Sequence, residues 1–253
     1  MGNVVSNFSD FIGGGGTTLE TVILTTSQTW TPPVNGTGII HVIGAGGSGS
    51  GSVARLAGGA GGYSRKAVTF STGTNWTIVV GAGGLPTAVN AAGVNGGNST
   101  ATDGSSSLTA NGGSGGGLGG SASGGDVNFT GGTGGGVIEN GGGGAVGVFA
   151  NGSTTKSQSG GQTTDANGGA DSFLVLGLGQ LIGGSGGGSS GANGGFLSGG
   201  ANNTHSVADV HITGGKGGIG GGGGMAWQQY SSGNRTGGAG GDGLVVIQYL
   251  TVS

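Results

Sequence analysis

Serine framed by paired glycines occurs at Ser114 and Ser185, and Gly-Gly-Ser-Gly-Gly formally matches the G-x-S-x-G elbow of serine hydrolases. The elbow works only where a strand turns sharply into a helix. Neither serine has that setting, so no nucleophile is assigned. Repeats of G-x-G-x-x-G carry equally little weight, because 75 of the 253 residues are glycine. Lys216 precedes Gly217 and not Ser or Thr, which excludes a phosphate-loop lysine. His41, His205 and His211 share no metal-ligand spacing, and His41 falls in an apolar run as a structural residue. The acidic residues are dispersed, which gives paired-carboxylate chemistry no support. Gly237 to Val245 follows the pattern of one calcium-binding nonapeptide, but such sites need tandem copies. Asp242 is better read as a turn residue bonding backbone amides ahead of a final strand. The sequence therefore predicts no catalytic residue, metal or cofactor.

Chemistry of recognition is better represented. Islands of aromatic and amide side chains interrupt the glycine. One holds Phe129, a second Phe149, a third Phe196 with Asn202, Asn203 and His205, and a fourth Trp227, Gln228, Tyr230, Asn234 and Arg235. An aromatic ring offers a face to the C–H side of a sugar, while amides and guanidinium bond its hydroxyls. Rigid aromatics beside adaptable polar groups are also the composition of recognition loops in general. These residues are the candidate receptor contacts. The competing reading makes Trp227 and Tyr230 caps on the glycine frame, and Trp30 and Trp76 are assigned to the core.

Short β-branched runs must supply the frame that holds the islands. Strands are predicted at Thr21–Thr25, Gly38–Gly44, Tyr63–Phe70, Thr74–Gly81, Ser105–Ala110, Phe173–Leu176, Val207–Ile212 and Leu244–Leu250. Trp30-Thr31-Pro32-Pro33 acts as a stop. The closing strand needs an edge to pair with, which brings both ends of the domain into one sheet with the glycine region inserted between them. Collagen is excluded by blocks such as Gly220 to Gly224, and a long α-helix by about 1 kcal/mol per glycine. The remaining ordered form is a bundle of extended, polyglycine II-type helices with about three residues per turn, packed backbone to backbone. Ser114, Lys216 and Ile219 would then point outward. The expected fold is all-β: a small β-sandwich with an insertion of packed polyglycine helices. The expected division is 1–19 as a docking segment and 20–253 as the glycine-rich domain. Val4, Val5, Phe8, Phe11 and Ile12 recur at roughly helical spacing, predicting a short amphipathic anchoring segment.

Charge limits the partners. Six Lys and Arg residues form no basic stripe, so nucleic acid is not an expected partner. No apolar run reaches the length of a membrane-spanning helix. The first residues lack a basic, then apolar, leader, which predicts no conventional secretory signal. Cysteine is absent.

Several stretches combine into a recognisable type: Trp30-Thr31-Pro32-Pro33, Val42 to Gly47, Gly61-Gly62-Tyr63-Ser64, Thr77 to Gly84, Gly96-Gly97-Asn98-Ser99, and the closing Gly240 to Tyr249. Over residues 20–253 this resembles the glycine-rich domain of bacteriophage tail-fibre and related virion proteins. It is also similar to the polyglycine-helix distal adhesins of T-even-like phages. The resemblance implies a non-enzymatic, surface-exposed virion protein, commonly a homotrimer. It implies attachment to another tail or fibre protein through the N-terminus and binding to a host cell-surface glycan or outer-membrane protein. A purely structural fibre-shaft or decoration protein would use the same frame, and an ice-binding protein would need a flatter, more regular face.

Overall fold

The computed structural model describes residues 4–8, 17–51, 56–86, 88–136, 174–176, 179–181, 193, 199–200, 203–205, 211–228 and 234–252. The strands before residue 130 are β1 (Val4–Phe8), β2 (Thr17–Leu24), β3 (Gln28–Trp30), β4 (Gly36–Ile43), β5 (Tyr63–Phe70), β6 (Trp76–Val79), β7 (Ser99–Thr102), β8 (Ser107–Ala110), β9 (Ala122–Ser123) and β10 (Val127–Phe129). After them come β11 (Leu174–Leu176), β12 (Gly179–Leu181), β13 (Asn203–His205), β14 (Ile212–Thr213), β15 (Ala226–Gln228), β16 (Arg235–Thr236) and β17 (Leu244–Val252). Six strands form one antiparallel sheet in the order β1-β2-β17-β4-β5-β10, and five form a second, β3-β6-β7-β8-β9. The fold is all-β, as the alternating β-branched runs require.

Side chains from the two sheets meet in a single core. Val22, Leu24, Ile40, Val42, Phe70, Val245 and Ile247 from the first sheet pack with Trp76, Ile78, Ala101 and Leu108 from the second. Trp76, Phe70, Tyr63 and Leu108 are fully buried. Each such side chain is worth roughly 1.5–3 kcal/mol. The rings of Trp30 and Trp76 both approach Phe70 edge-on, at 5.1 and 6.0 Å. The closing strand does join the beginning of the domain: β17 lies between β2 and β4, with Ile247 opposite both Val22 and Ile40. The expected helical turn at the N-terminus is replaced by β1, which pairs with β2 from Val4↔Ile23 to Phe8↔Leu19. Consecutive Val4-Val5 suits a pleated strand, and the open edge of β2 supplies the partner that a short helix lacks. Phe11 and Ile12 lie outside the described residues.

The glycine segments that leave this sandwich follow a three-residue rule. From residues 44–51, the amides of Gly44, Gly47 and Ser50 donate to Gly62, Gly59 and Leu56 at 2.9 Å each. Those of Ala45, Ser48 and Gly51 donate to Gly97, Val94 and Ala91, and those of Gly46 and Gly49 to Gly241 and Gly238. Carbonyls of the same segment accept from Gly84, Gly113 and Gly223, so it is ringed by six neighbours. Donation to a new neighbour at each residue, returning every third, is the hydrogen-bond pattern of an extended threefold helix. Residues 57–62 and 221–226 are buried in the same way as 44–51. Segment 57–62 alternates among Gly135/Gly132, Gly223/Gly220 and Ser114/Asn111 as acceptors.

Close approach, not unusual torsion, demands the glycine. A Cβ added at Gly46 would overlap the Gly221 carbonyl oxygen, one at Gly58 that of Gly47, and one at Gly222 that of Gly58. Few described glycines have positive φ. Gly220, at 67°, is one, and it forms the turn in which Gly221 N–H returns to Gly218. At the bundle's outside, side chains replace the missing carbonyls. Asn98 and Asn95 Oδ1 accept from Gly112 and Gly115 N–H, and Asp242 Oδ1 accepts from Gly83 N–H. Lys216 is exposed, in keeping with an outward position on a threefold helix, whereas Ile219 and Ser114 are half-buried.

Candidate recognition site

Direction of travel decides where the islands go. Segment 44–51 leaves the sheet at β4 and 56–62 returns to β5; 80–84 leaves β6 and 91–98 returns to β7. Segment 214–220 runs parallel to 236–242, with Gly214, Gly217 and Gly220 donating to Thr236, Ala239 and Asp242. Both travel toward the sandwich, the second feeding β17. Segment 222–225 runs the other way, and Gly200 and Asn203 donate to its Gly222 and Met225. The Gly218–Gly221 reversal thus sits near the sheets and the Ser114–Gly117 turn one helical turn further out, whereas Gly51, Asn90, His205, Gln228 and Asn234 lie at the opposite end.

Four stretches meet there. Parallel strands β13 and β15 set Asn203 against Ala226, Thr204 against Trp227 and His205 against Gln228. Beside them β14 and β16 pair Ile212 with Arg235. Ala226 N–H reaches Ser50 O at 3.0 Å, which ties this group to the central segment. Asn203 Nδ2 donates to Thr213 O at 3.1 Å. Trp227 is half-buried and Asn234 exposed.

Arg235 takes a different part from that expected of an exposed sugar-binding cation. Its side chain is only 7% exposed, and Nε donates to Asn90 Oδ1 at 3.0 Å while Asn90 N–H returns to Arg235 O at 2.9 Å. Arg235 therefore fastens the 85–90 connection to the cluster. Asn90 was missed from sequence. It sits at φ 59°, in the left-handed region that Asn tolerates, and an Asn ending the Pro86–Asn90 stretch is the signal that could have found it.

The remaining candidates separate. Phe129 is in β10 at the sandwich, stacked on Tyr63 with centroids 6.2 Å apart and planes at 12°, away from the cluster. His205 and Gln228 are placed by their strands. Phe149, Phe196, Asn202 and Tyr230, like Ser185, lie outside the described residues. Among the described residues no three His, Asp or Glu side chains are grouped to hold a metal. Ser114 Oγ accepts from Gly116 N–H at 2.9 Å, a local turn contact. No helix among the described residues is long and apolar enough to cross a membrane.

His41 is buried on the opposite face of its strand from the core, with Nδ1 2.7 Å from Tyr63 Oη and Nε2 3.2 Å from Gln248 Oε1. Burial above all, then Arg65 on the facing strand, lowers its pKa to about 4, while the Gln248 bond acts in the opposite sense. The neutral ring accepts from the tyrosine hydroxyl and donates to the amide oxygen. Burial likewise pushes the Tyr63 hydroxyl pKa up. This trio is a structural element of the sandwich.

A family model described as a glycine-rich domain matches residues 21–250, nearly the whole sandwich and bundle. The chain belongs to that family. The match begins inside β2 and ends inside β17, so the glycine-rich domain is bounded by the two strands that pair to close it. A search of curated proteins finds no match.

Proposed function

We propose that this glycine-rich domain protein is a non-enzymatic attachment protein of a bacteriophage virion, a tail-fibre adhesin. It binds a host cell-surface glycan or outer-membrane protein through the end of the bundle remote from the sandwich. The observation that carries the reading is the direction of the glycine segments, which gathers Asn203, Trp227, Asn234 and the Asn90–Arg235 clasp at one end. A backbone lattice carries these connections and few of their side chains, Arg235, Asn90 and Asn203, are spent on bracing them, which leaves the others free to serve a target. Loops on a rigid scaffold are where binding residues concentrate. Trp227, Asn203 and Asn234, with His205 and Gln228 on β13 and β15, are the proposed contacts; Tyr230, Phe149, Phe196 and Asn202, outside the described residues, are proposed on their sequence alone. Phe129 is left to the sandwich and Arg235 to positioning. The N-terminal residues, with Val4, Val5 and Phe8 on the edge strand β1, face another tail or fibre protein, and three copies on one fibre add avidity.

Binding of labelled protein to a panel of bacterial strains tests the reading, alongside Trp227→Ala/Tyr230→Ala. Strain-selective binding lost in the variant supports it. Binding to no strain refutes the adhesin and leaves a structural virion component, for which the same frame would suffice.

A further inference from the structure

On the flank of the bundle, close to the sheets, segments 214–220 and 236–242 line an open cleft of about 360 Å³ with Asn193. Lys216, Ile219 and Asp242 stand on its rim, and Gly217, Gly218 and Gly241 form its floor. The floor cannot be furnished with side chains: a Cβ at Gly217 would overlap Gly221 O, and one at Gly241 would overlap Gly218 O. Bare backbone therefore faces the cleft. Gly217 N–H is spent on Ala239 and Lys216 N–H on Asn193 Oδ1, whereas Gly218 and Ile219 N–H donate to no acceptor among the described residues.

The two charges are also held apart. Lys216 and Asp242 line one cleft without pairing; among the described residues the ion pair is Lys66–Asp126. Asp242 Oδ1 is committed to Gly83 N–H at 2.8 Å, which fixes the carboxylate beside the cleft that it lines. A donor, an anchored acceptor, bare glycine backbone and one apolar side chain thus line a volume at the lower end of small-ligand sites. An ionic ligand of either sign meets one attractive and one repulsive group. A pyranose meets neither penalty: its hydroxyls accept from Lys216 and the amides, donate to Asp242, and its C–H face lies on Ile219.

We propose that this cleft is a carbohydrate subsite, separate from the remote end, that takes an uncharged pyranose unit. It does not depend on the attachment reading, since the cleft and the cluster share no residue. Such a site is weak for one sugar and gains from repetition along a polysaccharide or among copies of the protein.

Amide chemical-shift titration of the whole chain tests it, with glucose, galactose and N-acetylglucosamine as neutral probes and N-acetylneuraminic acid as the charged comparison. A neutral sugar is expected to move the amides of Lys216, Gly218, Ile219 and Asp242, saturating in the millimolar range. Lys216→Gln and Asp242→Asn each weaken this at least roughly tenfold. The asparagine keeps an oxygen for Gly83 N–H, so the fold is retained. Trp227→Ala leaves the titration unchanged. Shifts confined to residues 203–205 and 226–228 overturn the subsite while favouring the remote end. Shifts of the cleft amides alone do the reverse. Preference for the anionic sugar, indifference to both cleft variants, or no shift with any probe also overturns it.

Discussion

Acid should destabilise this protein through one residue, His41. In the folded chain Nδ1 faces the Tyr63 hydroxyl and Nε2 faces Gln248, both at hydrogen-bond distance, with Arg65 directly across the strand pair. A second ring proton would displace the tyrosine proton from its acceptor, put a charge in a buried place and add a cation beside another. The folded pKa is accordingly lowered, from 6.5 to about 4. Because it is depressed, the folded state prefers the neutral ring. The associated stability is fully present above the unfolded value and is lost as pH falls from about 6.5 to about 4. Two and a half pKa units correspond to about 3 kcal/mol in all, and roughly 2 kcal/mol of it disappears between about pH 7 and about pH 5. Urea unfolding across that interval measures it, with His41→Gln as reference. The variant is less stable at neutral pH but lacks the titration. Carboxylates titrate in both proteins, so the difference between the two pH profiles isolates the imidazole. The wild type should lose about 2 kcal/mol more than the variant. Parallel profiles would refute the reasoning, and so would a His41 ring whose proton resonances titrate near 6.5.

Substitutions in the frame should divide sharply by position. Gly46→Ala and Gly58→Ala force a methyl into a facing carbonyl and should each cost at least about 3 kcal/mol by thermal melting. Gly73→Ala, in open space, should be neutral or stabilising by about 0.4–1 kcal/mol. Asn90→Ala strains a left-handed backbone and strips a buried arginine of its acceptor, so a loss on the order of 2 kcal/mol is expected; Asn90→Gly should recover only the backbone part. Amides of Val245 and Ile247, in a strand paired on both sides within the first sheet, should exchange with solvent at the rate of global unfolding. Exchange faster than that would mean the closing strand opens by itself.

Much of the sandwich was legible because β-branched alternation reports burial. Tyr63–Phe70 was bounded at both ends, and Leu244–Leu250 was placed as the strand that closes the domain. Ser99–Thr102 went unread, since four small residues carry no hydrophobic signature; only the register with β6 and β8 makes them a strand. Val4–Phe8 misled in the other direction, as five residues cannot separate a period of two from one of 3.6 when a single facing strand decides the outcome. Glycine helices could be inferred as a class by eliminating collagen and α-helix. Their neighbours could not, because glycine has no side chain to record what it touches. For the same reason the sequence did not show that Asn203 and Trp227 lie together while Phe129 lies at the other end. That follows from counting outward and inward passes, and a pass is recognised only once its hydrogen bonds are known.

A frame whose contacts recur every third residue has an arithmetic of its own. Removing or adding three residues in segment 44–51 shortens or lengthens it by one turn and returns each amide to the neighbour it faced before. One or two residues rotate everything downstream by a third of a circle, turning Ser48 or Ser50 toward a carbonyl that leaves room only for glycine. Length changes within the lattice are thus confined to multiples of three, whereas the connections beyond it may change by any number. The same chain is in this sense rigidly metred in one part and unmetred in another.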